Sequence, residues 1–186
     1  MSHSVYTTDA IVLHRATPGE ADTVLWLLTQ DLGLVIAKAQ SARKEVSKMR
    51  SHLQTLSVLR VSLVRGRYQW RVTGTELHAG VLLGSSSSSL CGEAAAAFAR
   101  VASFVRRMTV VDRSVNLYDI VLKAHVELSA TVDSTDIVAV ELMAIAKILV
   151  ELGYLDQAAL PTRVDSISSK NKLTADVNKA LNESHL

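Results

Sequence analysis

With 186 residues, 48% apolar and 20% charged, the chain can bury a real core, which excludes wholesale disorder and fits one large domain or two small ones. Its single cysteine, Cys91, excludes an intrachain disulfide and a cysteine-based zinc site, and suits a small buried thiol in a reducing compartment. The net charge of +2 hides an asymmetry: residues 32–75 hold nine Lys/Arg against one acid, Glu45, the kind of surface that binds a polyanion.

The N-terminal "MSHSVYTTDA" has no apolar stretch of the kind a secretory signal needs. No run reaches the roughly 18 apolar residues of a membrane span, so no membrane contact is expected. "TDAIVLHRA" (8–16) is a short run of β-formers closed by Pro18-Gly19, a turn signal. "DTVLWLLTQ" (22–30) and "LVIAKAQ" (34–40) flank Asp31-Leu32-Gly33, where the glycine can supply a positive φ for a hairpin. A basic stretch follows, with "EVSKMRSHL" (45–53) able to form one short helix. "LSVLRVSLV" (56–64) and "QWRVTGTEL" (69–77) then make a second hairpin through "RGRY", with Leu59, Val61 and Leu63 on one face and Arg60, Ser62 and Val64 opposite. Five strands, two tight hairpins and a longer connection with a helix predict a small barrel, of which the oligonucleotide/oligosaccharide-binding (OB) fold is one.

From residue 85 the period changes. "SSSSS" (85–89) reads as a linker ending in an N-cap serine. Behind it Phe98, Val101, Val105 and Met108 fall at helical spacing, as do Leu117, Ile120, Val121, Ala124 and Leu128. Asp133 or Ser134 caps a third helix over 136–152 with Gly153 as its stop. That helix carries Ile137, Val138, Leu142, Ile145, Ile148, Leu149 and Leu152, apolar round most of its circumference, and is expected at the centre of a bundle. "TADVNKALNES" (174–184) predicts one last helix. The expected class is therefore α+β, with a small five-stranded barrel over 1–80 and an α-helical domain over 81–186.

Catalytic signatures are missing. There is no G-x-S-x-G, H-E-x-x-H, Walker or G-x-G-x-x-G motif, and the six histidines fit no metal spacing. Nucleic-acid binding has more support, because a barrel that binds single strands combines a basic groove with stacking aromatics. The candidates are Lys38, Arg43, Lys44, Lys48 and Arg50 from the basic stretch, then Arg60, Arg65, Arg67 and Arg71 from the last hairpin. Tyr68 and Trp70 interleave with the arginines in "RGRYQWR". Trp70 suits either base stacking or the core, and Trp26 inside "VLWLL" is expected in the core. At 4% aromatic content, binding should lean on charge and be salt-dependent.

These residues come in a familiar order. Val12-Leu13 ends the first strand, Gly19-Glu20 precedes the second, and Leu28-Thr29 with Gly33 spans the hairpin. Ala37-Lys38 leads into a basic loop with Arg43-Lys44 and Ser47-Lys48, Glu76 closes the fifth strand, and "VELMAIAKILVELGY" (140–154) has a Glu-Leu start and a Leu-Gly-Tyr end. The ordered set resembles the bacterial recombination mediator family RecO over about two thirds of the chain. The resemblance implies an OB barrel followed by helices, in a cytoplasmic, nucleoid-associated protein. It implies binding of single- and double-stranded DNA, strand annealing, and loading of RecA with RecR as partner. It further implies contact with the acidic, Phe-ending tail of single-stranded-DNA-binding protein, for which Lys123 and Lys147, then Arg106 and Arg107, are the basic candidates.

The chain departs from the family at three places. Ala39-Gln40 stands where a glycine is usual, Gln54-Thr55-Leu56 replaces Gln-Pro-Phe, and a tail over 155–186 follows where many relatives have a cysteine-bearing lobe, so a short member without zinc or other cofactor is expected. Three readings compete: a non-enzymatic DNA-binding mediator, a protein-binding scaffold whose basic loop is merely solvated, and an enzyme assembled from scattered polar residues. The ordered motifs favour the first.

Overall fold

The computed structural model describes residues 4–17, 22–39, 52–77, 90, 92–109, 116–161, 164 and 166–183. Arg43, Lys44, Lys48 and Arg50, most of the expected 45–53 helix, the serine run and Cys91 lie outside these residues. The strands are β1 (Val5–Ala16), β2 (Thr23–Thr29), β3 (Gly33–Ala39), β4 (Val58–Arg65) and β5 (Trp70–Leu77). They neighbour one another in the order β1–β2–β3–β5–β4, and β4 pairs back onto β1, which closes the sheet into a barrel. Every pairing is antiparallel except β3 with β5, which sets Ala37 beside Trp70 and Lys38 beside Arg71. A closed five-stranded barrel with this order is the OB fold.

Alternation explains the barrel interior. Ala10 and Val12, Leu25 and Leu27, Val35 and Ala37, Leu59, Val61 and Leu63, and Val72 form one aliphatic cluster, with Leu53 packed into it. Burial of each such Val or Leu contributes about 1.5–3 kcal/mol, so this cluster is the main cohesive term of the barrel. β1 serves two neighbours, β2 and β4, and a register shift between Val12 and His14 bends it. The outward side is not uniformly polar: Ile11, Leu28, Leu34, Val58 and Val64 are buried as well. Val64 therefore departs from the polar character of its neighbours Arg60 and Ser62 on that face of β4.

Two turns depend on single residues. In the β2–β3 hairpin Gly33 has φ 69°, and buried Thr29 donates its hydroxyl to the Gly33 carbonyl at 2.8 Å while accepting the Leu32 N–H at 3.0 Å. Leu56, in the departed Gln-Pro-Phe position, has φ 71°, a conformation that costs a leucine about 1–2 kcal/mol. Its N–H donates to the Val12 carbonyl at 2.7 Å, and the Val12 N–H donates to the Ser57 carbonyl at 3.0 Å, which hold it there.

The chain divides into two compact units, the first comprising 1–88 with 106–118, the second 89–105 with 119–186. The described α-helices are α1 (Gly92–Met108), α2 (Leu117–Ala130), α3 (Ser134–Glu151) and α4 (Ile167–Glu183), with a 3-10 turn at Gln157–Ala159. On α1, Ala94, Ala97, Phe98, Val101, Ala102 and Val105 form the buried stripe that helical spacing predicts. α3 starts at Asp133, whose carboxylate accepts the Thr135 N–H at 2.7 Å, and stops at Gly153, whose φ of 79° only glycine adopts without strain.

Two expectations for the helices need correction. Only Ile137, Ala144, Ala146, Ile148 and Leu149 of α3 are buried, while Val138 is exposed and Leu142, Ile145 and Leu152 are half-buried. An apolar circumference is thus not a wholly buried one, although α3 meets α1 through Glu141, α2 through Val140, Met143 and Ala144, and α4 through Thr135. α4 begins at Ile167, well before the expected 174, because Ser166 caps it: the Ser169 N–H donates to the Ser166 hydroxyl at 3.1 Å. Within this unit Arg100 of α1 holds Glu141 of α3 through two hydrogen bonds of 2.6 Å, and Lys170 of α4 donates to the Thr135 carbonyl at 2.9 Å.

Candidate nucleic-acid interface

The turn between β4 and β5 presents the densest basic and aromatic surface among the described residues. It closes on a hydrogen bond from the Gly66 N–H to the Gln69 carbonyl at 3.0 Å. A Cβ at Gly66 would come within 2.8 Å of that carbonyl oxygen, so the turn needs glycine for space. Arg65, Arg67, Tyr68, Gln69 and Arg71 are all exposed around it. The Arg67 guanidinium lies 5.3 Å from the centre of the Tyr68 ring, which is itself 87% exposed. The Arg65 guanidinium lies 5.6 Å from the centre of the Trp70 ring.

Trp70 has a different environment. It is half-buried, packs against the aliphatic barrel cluster, and meets Tyr6 edge-on at 5.4 Å. Its register partner is Arg65, and Leu63, the next residue of β4 on the same side, faces the interior. Trp70 therefore plugs the end of the barrel, with Arg65 at the rim.

Barrel closure extends the basic surface. Lys38 and Arg71 are direct neighbours across the parallel β3–β5 pairing, and both side chains point away from the interior because Ala37 and Val72 point in. Lys38 is held by Asp22 at 2.6 Å. Arg60 makes a two-bond ion pair with Asp9 of the neighbouring strand, at 2.9 and 3.2 Å, with its side chain 55% exposed. Those hydrogen bonds and the Asp9 charge raise its pKa. Trp26 corrects the expectation of a core residue. Its neighbours Leu25 and Leu27 fill the interior, which turns Trp26 outward, half-buried, against His14 at 5.0 Å and with the Arg106 guanidinium 6.0 Å from its ring. Burial, then the Arg106 charge, lowers the pKa of His14.

Of the basic residues named for partner binding, Lys123 and Lys147 meet in one groove of about 270 Å³ between α2 and α3. Ile120, Ala124, Val140, Met143 and Ala144 give it apolar walls, and Asp119 and Glu127 add acidic groups to its lining. Arg106 and Arg107, in the last turn of α1, do not line it. Sequence reasoning missed Tyr6, Asp22 and Asp9, whose roles depend on partners across strands and leave no local pattern. Among the described residues no group of His, Cys, Asp and Glu is arranged to hold a metal, and no helix is long and apolar enough to cross a membrane.

The described architecture is thus an OB barrel with a basic, aromatic rim, followed in the chain by a helical unit. A family model described as "Recombination protein O N terminal" matches residues 1–81, so the N-terminal part of the chain is similar to that domain of RecO proteins. It is 44% identical over 71 residues to the DNA repair protein RecO of Dehalococcoides mccartyi, covering 38% of this chain and 28% of that protein. It is 34% identical over 93 residues to the DNA repair protein RecO of Heliobacterium modesticaldum, covering 46% and 34%. With the protein of the same name from Myxococcus xanthus the figures are 34% over 90 residues, 48% and 37%. The matched stretch thus spans about a third of these curated relatives.

Proposed function

We propose that this protein is a non-enzymatic, DNA-binding recombination mediator in DNA repair, which binds and anneals strands and helps load RecA together with RecR. The observation that carries the reading is the exposed cluster Arg65, Arg67, Tyr68 and Arg71 at the β4–β5 turn of a RecO-type barrel, with Lys38 beside Arg71. Guanidinium and ammonium groups there neutralise phosphates and release counterions, a sequence-independent contact. The basic residues Arg43, Lys44, Lys48 and Arg50 directly follow β3 in the chain and add to the same charge.

An anisotropy titration with labelled single-stranded and duplex DNA at two salt concentrations tests it. Binding should weaken steeply with salt. Replacing Lys44, Lys48 and Arg50 together by Ala should flatten the log–log slope by about 0.7–0.9 for each phosphate that is no longer neutralised. Salt-independent binding, or none to either DNA form at low salt, would instead favour a scaffold with a solvated basic loop.

The groove between α2 and α3 supports a second contact, with the acidic, Phe-ending tail of single-stranded-DNA-binding protein. Its apolar walls suit an aromatic side chain, and Lys123 and Lys147 suit a carboxylate. Asp119 and Glu127 oppose an acidic peptide and keep the contact weak. A labelled tail peptide titrated against wild type and a Lys123→Ala/Lys147→Ala variant decides: wild type should bind about tenfold or more tighter than the variant, or the two lysines together are worth less than about 1.4 kcal/mol there.

A further inference from the structure

We propose that Tyr68 is the stacking platform for an unpaired nucleobase, which makes the β4–β5 turn a reader of single strands. The inference rests on the DNA-binding reading above and adds the residue that distinguishes single strand from duplex.

Two aromatic rings compete for the role, and their surroundings separate them. Trp70 is half-buried on the barrel cluster, with Tyr6 at its edge and the Arg65 guanidinium by its ring, so its surface is already committed to the fold. Tyr68 is 87% exposed and contributes almost nothing to any core. The tight turn fixed by Gly66 holds it out from the barrel. Arg67 lies by its ring at 5.3 Å, and the high exposure leaves room for a second flat partner. A base seated there would form the outer layer of a guanidinium–phenol–base stack, with Arg65 and Arg71 near enough along the hairpin for the flanking phosphates.

Discrimination follows from the geometry of the ligand. In a duplex both faces of every internal base are covered by neighbours, so an exposed tyrosine gains nothing from it beyond van der Waals contact. An unpaired base offers a free face and any base has one, so the contact is tolerant of sequence. The arginines serve both forms alike through phosphates.

The test is an anisotropy titration of the full chain, as wild type, Tyr68→Ala and Tyr68→Phe, against three labelled ligands of equal length. These are a single strand, its duplex, and a single strand carrying abasic sites throughout. Tyr68→Ala should weaken the base-bearing single strand about 5- to 150-fold, the range of one base–aromatic stack, and move the other two by less than about twofold. Tyr68→Phe keeps the ring and should match wild type on all three. Equal weakening of all three ligands by Tyr68→Ala, or of none, overturns the stacking role while leaving the DNA-binding reading intact. Failure of wild type to bind any of the three at low salt overturns both. Thermal melting of each variant guards against a folding defect, which the exposure of Tyr68 makes unexpected.

Discussion

Two residues apart on one turn, Trp70 and Tyr68 meet opposite surroundings, and substitution should separate them. Trp70→Ala removes a half-buried ring from the barrel end and leaves Tyr6 without its edge-on partner. Full truncation of a buried Trp costs about 3–5 kcal/mol, so a half-buried one should cost about 2 kcal/mol, read as a lower midpoint in urea or heat. Trp70→Phe should recover most of that loss. An unchanged midpoint in Trp70→Ala would remove Trp70 from the barrel's packing. From sequence, Trp70 read equally well as core or as stacking residue, because strand periodicity assigns a side but not a depth. The depth comes from Tyr6 of β1 and from the barrel cluster, which position in the chain does not set beside Trp70.

At the scale of the element, the β4–β5 hairpin is held by its turn. Gly66→Ala would drive a methyl to within 2.8 Å of the Gln69 carbonyl oxygen, and the backbone must open to avoid it. We expect a stability loss of more than about 1 kcal/mol, with DNA affinity falling further than the unfolding alone explains, since Arg67 and Tyr68 would lose their fixed aim. Retained stability and affinity would mean that the turn tolerates a different geometry. The strands and helices were legible because each buries one face: alternation gave all five strands to within a few residues, and helical spacing gave the stripe on α1. What misled was composition without context. The apolar α3 read as buried round most of its circumference, yet Val138 is exposed, and Trp26 read as core, yet it faces outward.

The whole molecule carries a pH dependence. His125, buried in the second unit against Phe98 at 5.0 Å, has its pKa lowered from 6.5 by burial, and His14 in the first unit is lowered by burial and by Arg106. The Nδ1 of His125 has no hydrogen-bond partner among the described residues, so a charge there would be poorly compensated. Between the depressed folded values and 6.5 the unfolded chain binds more protons than the folded one. Stability is therefore full above that pH and falls as pH drops below it, by at most about 1.4 kcal/mol per pH unit for each proton. Urea melts from neutral to mildly acidic pH should show this decline, and His125→Leu should flatten the part due to the helical unit. A parallel decline in His125→Leu and wild type would assign the effect to other groups.

The sequence by itself determined the α+β class, the order of five strands and then helices, the two glycine turns and the concentration of positive charge before residue 75. Each follows from local rules: the face a residue takes within its own element, the φ a turn requires, and the charges counted along a segment. Tertiary structure alone decided which of those charges act together. Lys38 meets Arg71 only because β3 and β5 pair in parallel to close the barrel, and Arg60 is drawn to Asp9 only because β4 lies beside β1. Lys123 and Lys147 share a groove only through the packing of α2 on α3. Partners far apart in the chain are chosen by register and closure, which depend on the summed burial of the whole core and leave no signature in either segment alone.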